Sequence, residues 1–454
     1  MSIKALLLSL RGKMPPRLQH LGTNYNMVHD FYKDAQWWGK EKIEEWQLKR
    51  LQHMISYAYE NTDGYHQLYD EAYIKPSDIQ RLDDITVLPF TTKELIRENI
   101  DKFTVSKDVA GRLFRKSTGG STGKPFVFFA DTKNAVAEYG FMYNAWESIG
   151  WKESDIGVTL RGKYVGDPNN LIVKTGYNRY AISSIYITEE NYSKYIQAIQ
   201  NTKVSFIHCY PSSLIEFAKL VVMHNDSKQL ESIKHLFVSS EALYEWQKEI
   251  IRKAFPNAKI MHWYGHGERA VWAPWCENNE KFHINPFYGY CEIIDGTRPV
   301  SIGETGEIVG TSFWMNGTLF IRYRTKDFAT RGADRCELCG REFKLIDKIE
   351  GRLQEYLVGR DGRKISISVW DCHFMHGKIF EHIEHFRFIQ YEFGKLQLAI
   401  VPSAFYTEEE EKMLLQELND FFGLDFEVEI KHVKELSKTK AGKFSLVEQH
   451  LTIE

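Results

Sequence analysis

The chain has 454 residues, 43% of them hydrophobic and 26% charged, with a formal net charge of −3. That length exceeds the size at which a single core stops growing, so about two domains of unequal size are expected, and the apolar content excludes a disordered chain. The near-neutral balance leaves no electrostatic footprint for a nucleic-acid partner, and six cysteines are too sparse for a disulfide scaffold, which points to the reducing cytoplasm.

At the N-terminus, Ala5-Leu6-Leu7-Leu8-Ser9-Leu10 lies between Lys4 and Arg11. It is too short for a signal-peptide core or a bilayer span, and reads as the start of a core-facing helix, with peripheral membrane contact as the alternative. Residues up to about 100 read as mainly helical; Trp46, Leu48, Leu51, Met54 and Ile55 recur at helical intervals between Glu44 and Tyr59. From Gly111 to about Gly265 strands alternate with helices. Phe126 to Phe129, Gly157 to Leu160, Val204 to Tyr210, His235 to Ser239 and Lys259 to Tyr264 read as buried strands, and Leu214, Phe217, Ala218 and Val221 form an amphipathic helix after Pro211-Ser212. Such alternation implies a layered α/β core. Between about Tyr290 and Leu357 short strands with glycine turns take over, as in Gly306 to Phe313 and Thr318 to Arg324. Beyond Arg352 come strands around Ile389 to Val401, a helix opened by Thr407 with Glu410 as a capping box, and a strand from Asp425 to Ile430. The expected fold is therefore α/β: a large N-terminal layered domain with a β-rich subdomain over residues 1–351, and a small mobile C-terminal α+β domain over 352–454.

The segment from Lys116 to Pro125 packs Ser117, Thr118, Gly119, Gly120, Ser121, Thr122, Gly123 and Lys124 into a loop of phosphate size. Glycines let backbone N–H groups approach an oxyanion, and the hydroxyls add donors. A Walker A loop is excluded: Thr118 stands where its first glycine belongs, and Pro125 stands where a magnesium-binding hydroxyl should follow Lys124. A flexible linker is the alternative, and the strand-like run that follows at once argues against it.

Four further segments follow in order: Ser239-Ser240-Glu241-Ala242, Tyr264-Gly265-His266-Gly267-Glu268, Tyr323-Arg324-Thr325-Lys326-Asp327, which is read as the end of a β segment, and Lys438-Thr439-Lys440-Ala441-Gly442-Lys443. Together with the glycine loop they resemble the ordered core motifs of the adenylate-forming superfamily of acyl-CoA synthetases and adenylation domains. Leu88-Pro89-Phe90-Thr91-Thr92-Lys93 and Gly362-Arg363-Lys364-Ile365-Ser366 resemble the phenylacetate-CoA ligase-like and CapK-type capsular polysaccharide branch. The resemblance implies an ATP-dependent ligase that forms an acyl-adenylate, releases pyrophosphate, and passes the acyl group to the thiol of coenzyme A or to an amine, in capsular or exopolysaccharide biosynthesis.

It further implies that Thr118 to Lys124 cradle the β- and γ-phosphates and that Glu268 holds Mg²⁺ beside them. Tyr264 and Gly265 would lie near the adenine, with Ser240, Glu241 and Ala242 on its other side. Asp327 would accept from the ribose hydroxyls, and Arg352 would serve as a ribose or phosphate arginine at the domain junction. Lys443 would be the catalytic lysine, and His208, Tyr210 and Pro211 part of the acyl pocket. Three departures stand out: Gly267 replaces the family's usual threonine, Gln354 a charged hinge residue, and no arginine follows Lys443. The departures at Gly267 and Gln354 keep a second reading open, a nucleotide-binding scaffold of a polysaccharide assembly system without turnover.

Cys336-Glu337-Leu338-Cys339-Gly340 is a C-x-x-C-G knuckle, and Cys276 and His283 stand about fifty residues upstream. Four such ligands suit one tetrahedral, closed and hence structural Zn²⁺, a site that the resemblance also implies. A zinc hydrolase would need an open coordination position. The carboxylic acid, the acceptor and the oligomeric state, a homodimer among the options, are not specified by these residues.

Overall fold

The computed structural model describes residues 14–118, 126–134, 136–161, 171–184, 186–352, 356–362, 364–366, 382–422, 425–437 and 445–451. The hydrophobic run at 5–10 lies outside them. Helices dominate the first hundred described residues: α1 (Tyr25–Ala35), α2 (Lys40–Asn61), α3 (Asp63–Glu71) and α4 (Lys93–Glu98). In α2 the apolar residues Leu51, Met54, Ile55 and Ala58 are buried on one face, the 3.6-residue period read from the sequence.

The strands β1 (Leu113–Thr118) and β2 (Phe126–Asp131) form an antiparallel pair of their own. This corrects the expectation that Phe126 to Phe129 is a strand of the α/β layer. Phe126 and Phe128 are buried, but their rings meet Phe320 rather than a parallel neighbour. After α5 (Ala137–Ser148) come β3 (Gly157–Arg161), β4 (Ile172–Gly176), β5 (Arg179–Ser183), α6 (Tyr192–Thr202), β6 (Phe206–Cys209), α7 (Pro211–Met223), β7 (His235–Ser239), α8 (Glu245–Ala254), β8 (Lys259–Gly265) and β9 (Trp272–Pro274). Their strands form one sheet in the order β4-β5-β3-β6-β7-β8-β9, parallel from β5 to β8 and antiparallel at both edges. Every residue of β7 is buried, as a strand covered on both faces requires. Pro211 opens α7 at its first turn, where a missing N–H costs nothing.

A second sheet is antiparallel, with β10 (Phe282–His283), β11 (Gly289–Asp295), β12 (Arg298–Pro299), β13 (Thr305–Ser312), β14 (Tyr323–Arg331) and β15 (Leu345–Arg352) in the order β10-β15-β14-β13-β11-β12. The expected strand at 318–324 is displaced: β14 begins at Tyr323, so Asp327 lies within a strand and does not end one. Arg322 causes the break. It has a positive φ of 47°, and its guanidinium donates to the carbonyls of Thr86 and Leu88 at 2.7 and 2.6 Å while pairing with Glu292.

The pair β16 (Tyr356–Val358) and β17 (Lys364–Ser366) leads to the small C-terminal domain. Its sheet runs in the order β20-β19-β18-β21, from β18 (Ile383–Glu392), β19 (Lys395–Pro402), β20 (Glu427–His432) and β21 (Val447–Gln449), and it is backed by α9 (Glu408–Phe422). The expected capping box is present: Glu410 accepts from Thr407 N at 2.8 Å, and Thr407 Oγ1 accepts from Glu410 N at 3.2 Å. Leu398, Leu414, Leu418 and Phe388 fill this domain's core and continue into the apolar cluster of α7 and α8.

Candidate active site and metal centre

The carboxyl ends of β6, β7 and β8 lie side by side, His208 opposite Phe237 and Ser239 opposite Trp263, at the edge of the parallel sheet where open α/β folds place ligands. Gly265 ends β8, and the hydroxyl of Tyr264 before it donates to Asp327 Oδ2 at 2.7 Å. Burial, and then the Asp327 charge, push the Tyr264 phenol far up, so it stays a donor. Asp327 in turn faces Arg352 across the β14–β15 ladder. The antiparallel sheet therefore delivers two sequence-predicted residues to the rim of the parallel one.

Glu268 is buried, with its two oxygens held separately: His266 Nδ1 lies 3.2 Å from Oε2, and the Tyr323 hydroxyl donates to Oε1 at 3.4 Å. Burial pushes this carboxyl up, but the His266 hydrogen bond and charge, its own backbone N–H and Lys93 together hold it down at about 2. It is an anion at any physiological pH, as a divalent-cation ligand must be. Lys93 belongs to the segment Leu88 to Lys93, which is laid on β14: Thr91 N donates to Arg322 O at 3.1 Å, Arg324 N to Thr91 O at 2.9 Å, and the Arg322 guanidinium sits 4.0 Å over the Phe90 ring.

Beside Glu268, Arg269 has a positive φ of 58° and pairs with Glu138 of α5 at 2.8 Å. Burial and then the Arg269 charge push the Lys116 amine, at the base of the glycine loop, down to about 8. His266, Glu138, Arg269 and Lys116 were not among the sequence-predicted site residues. The signal for Glu138 is a lone charge at the start of a helix that otherwise reads Ala-Tyr-Gly-Phe-Met.

Ser240 has a positive φ of 73°, which turns the chain after β7. Glu241 then accepts from Ser212 N at 2.9 Å and Ser212 Oγ at 3.1 Å, a carboxylate on the N-terminal turn of α7. His208 meets Trp146 edge to face, ring centres 5.3 Å apart, and lies 5.4 Å from Trp263. Tyr210 immediately precedes α7 and Pro211 is its first residue, so the three predicted pocket residues sit on one strand-to-helix turn. Ser117 and Thr118 close β1 opposite Val127 and Phe126. Gly119 to Lys124, Gln354 and Lys443 lie outside the described residues, and Arg352 is placed by its backbone.

Cys276, His283, Cys336 and Cys339 converge from three places: the end of β9, β10, and the turn between β14 and β15. Their ligand atoms all lie within 4.8 Å of one another. Cys276 Sγ and Cys336 Sγ are 3.8 Å apart, and Cys339 Sγ is 3.6 Å from His283 Nε2. A regular tetrahedron with Zn–S and Zn–N bonds of usual length has S···S edges of about 3.8 Å and S···N edges of about 3.6 Å, so the donor set fits Zn²⁺. Gly340, at a φ of 79°, completes the knuckle, and Asn278 N points at Cys276 Sγ from 3.4 Å.

Residues 357–450 match the family model of the CapK C-terminal domain. Over 333 residues the chain is 25% identical to phenylacetate-coenzyme A ligase of Thermus thermophilus, covering 71% of this chain and 73% of that protein. It is 24% identical to protein CapK of Staphylococcus aureus across 96% of this chain and 95% of CapK. Residues 357–450 thus carry a CapK C-terminal domain, and the chain as a whole is similar to phenylacetate-CoA ligases and to CapK. Among solved structures, 2-hydroxyisobutyryl-CoA ligase in its postadenylation state superposes with a TM-score of 0.72 at 18% identity, covering 92% of this chain and 93% of that one. The same ligase in its thioesterification state gives 0.56, at 18% identity and 91% coverage of each chain. The family's large and small domains are thus both present here, in an arrangement nearer the first of those two states.

Proposed function

We propose that this protein is an ATP-dependent ligase that activates a carboxylic acid as an acyl-adenylate and transfers the acyl group to coenzyme A. The observation that carries this reading is the meeting of Tyr264, Asp327 and buried, ionised Glu268 at the carboxyl edge of the parallel sheet. The relatives named as coenzyme A ligases support it.

In the first step a carboxylate oxygen of the acid attacks the α-phosphorus of ATP, the bond from that phosphorus to the bridging oxygen breaks, and pyrophosphate leaves. In the second, the thiolate of coenzyme A attacks the acyl carbon and the C–O bond to AMP breaks. Both partners of the first step are anions, so preorganised positive charge is the main requirement. Lys443 would supply it from a small domain beginning at residue 352, on a large domain of residues 1–351, while Lys93, Lys116 and Arg269 set the field around Glu268. Asp327, oriented by Tyr264, would hold the ribose, and Ser240 to Ala242 would flank the base. Ser117 and Thr118 would lead into the phosphate cradle of Gly119 to Lys124, with Arg352 at the junction. Glu268 would hold Mg²⁺, whose charge would offset that of the phosphates. Cys276, His283, Cys336 and Cys339 would hold one structural zinc ion. His208, Tyr210 and Pro211 would border the acid.

ATP–pyrophosphate exchange across a panel of carboxylic acids tests this reading. Exchange is expected with at least one acid and should vanish in Lys443→Ala. ATP binding with no exchange for any acid would instead favour the scaffold reading, which Gly267 motivates by removing a hydroxyl beside Glu268. An amine acceptor and a role in capsule assembly are the finer alternative, suggested by the likeness to CapK. Product analysis with coenzyme A and amino sugars decides between the acceptors.

A further inference from the structure

The small domain rests on α7 and α8 of the large one. From α7, Lys219 reaches across with Nζ 3.2 Å from the carbonyl oxygens of both Ile383 and Glu384, where β18 begins. Its Nζ lies 5.8 Å from the ring centre of Trp246 on α8, and the Trp246 ring packs against Phe386 of β18 at 6.3 Å.

The carbonyl of Glu384 is available for a reason. The β18–β19 ladder slips between Ile383 and His385, which leaves Glu384 without a partner across the ladder among the described residues. A carbonyl freed by such an irregularity is open to a donor from elsewhere, and here another domain provides it. Among the described residues Lys219 makes no ion pair; Glu216 on its own helix and Glu384 opposite are the acidic groups whose fields reach it. Burial nevertheless pushes its amine down to about 8. An ammonium held by two carbonyl dipoles is favourable only while both carbonyls are in place, so the contact belongs to this one arrangement of the domains. That arrangement is nearer the postadenylation than the thioesterification state of the solved ligase, with TM-scores of 0.72 and 0.56.

We propose that Lys219 is a positioning residue: its ammonium, docked on the irregular start of β18, holds the small domain in the arrangement used for adenylation, and the contact is broken for acyl transfer. The assignment of the two steps rests on the two-step ligase reading above.

Lys219→Met removes the donor while keeping length, and Lys219→Arg keeps a donor. Both are compared in the full-length chain with the unaltered protein. In Lys219→Met, amide hydrogen exchange should rise in the peptide covering residues 382–388. Acid-dependent ATP–pyrophosphate exchange should fall about ten-fold, the population shift expected from losing a charge-assisted contact. Single-turnover transfer from added acyl-adenylate to coenzyme A should hold or quicken. Lys219→Arg should stay within about two-fold of the unaltered protein in all three measurements. An equal loss in both half-reactions, or unchanged amide exchange at 382–388, overturns the proposal. The amide-exchange measurement needs no turnover, so a protein that activates no acid sinks the ligase reading while the Lys219 contact is still judged separately.

Discussion

Two residues show how burial sets chemistry here. Tyr264 keeps its proton because burial forbids the phenolate, and that proton fixes one oxygen of Asp327. Tyr264→Phe removes one charge-assisted hydrogen bond, so the KM for ATP should rise about ten-fold with kcat changed far less. A steady-state assay varying ATP reads this, and an unchanged KM would show that Asp327 does not meet the nucleotide. His262 reports on folding. Burial pushes its imidazole down to about 4, against a smaller upward pull from its bond to the Glu241 carbonyl, whereas in the unfolded chain it titrates at its ordinary 6.5. Between those values the unfolded state binds a proton that the folded state refuses. Stability should therefore fall as pH drops from 6.5 towards 4, by about 1.4 kcal/mol per pH unit. Urea unfolding at about pH 7 and pH 5 should show a drop about 2 kcal/mol smaller in His262→Leu than in the unaltered protein.

At the scale of elements, legibility followed locality. The buried parallel strands and the Thr407 capping box are written in adjacent residues, and they stand where the sequence places them. The start of β14 is not: it is decided by Arg322, whose partners Thr86, Leu88 and Glu292 are distant in the chain. The pairing of Arg269 with Glu138 and the isolation of β1 and β2 are non-local in the same way. The Cys/His set lies between these cases, because the knuckle of Cys336 and Cys339 is local while its meeting with Cys276 and His283 depends on β10 pairing with β15. A zinc ion there would tie the end of β9 and β10 to the β14–β15 turn. Native mass spectrometry should find one zinc per chain; Cys336→Ser should lose it and melt about 5–10 °C lower, as a few kcal/mol implies for a domain of this size. Four protein ligands leave no open position, so adenylation measured well below the melting point should survive. A metal-free native protein would exclude the site.

For the molecule as a whole, the proposed chemistry is divided between two bodies with unequal shares. Tyr264, Glu268 and Asp327 belong to the large domain, which alone would therefore hold the nucleotide. Lys443 is on the small domain, where Leu418 and Leu414 of α9 are buried with Phe388 and Leu398 of its sheet, in a core that continues into the apolar cluster of α7 and α8. The contacts of Lys219 and Trp246 with β18 join the two bodies at a surface that the proposed acyl transfer would part, so they would not carry most of the small domain's stability. Leu418→Ala should lower that stability by about 2–5 kcal/mol through the cavity it leaves. Calorimetry should then show the small-domain transition moving down while a later one stays in place. At a temperature between the two transitions, ATP binding followed by titration should persist and ATP–pyrophosphate exchange should be lost. Loss of ATP binding together with exchange, in a single shared transition, would mean that the two bodies fold as one and that the nucleotide site is not the large domain's alone.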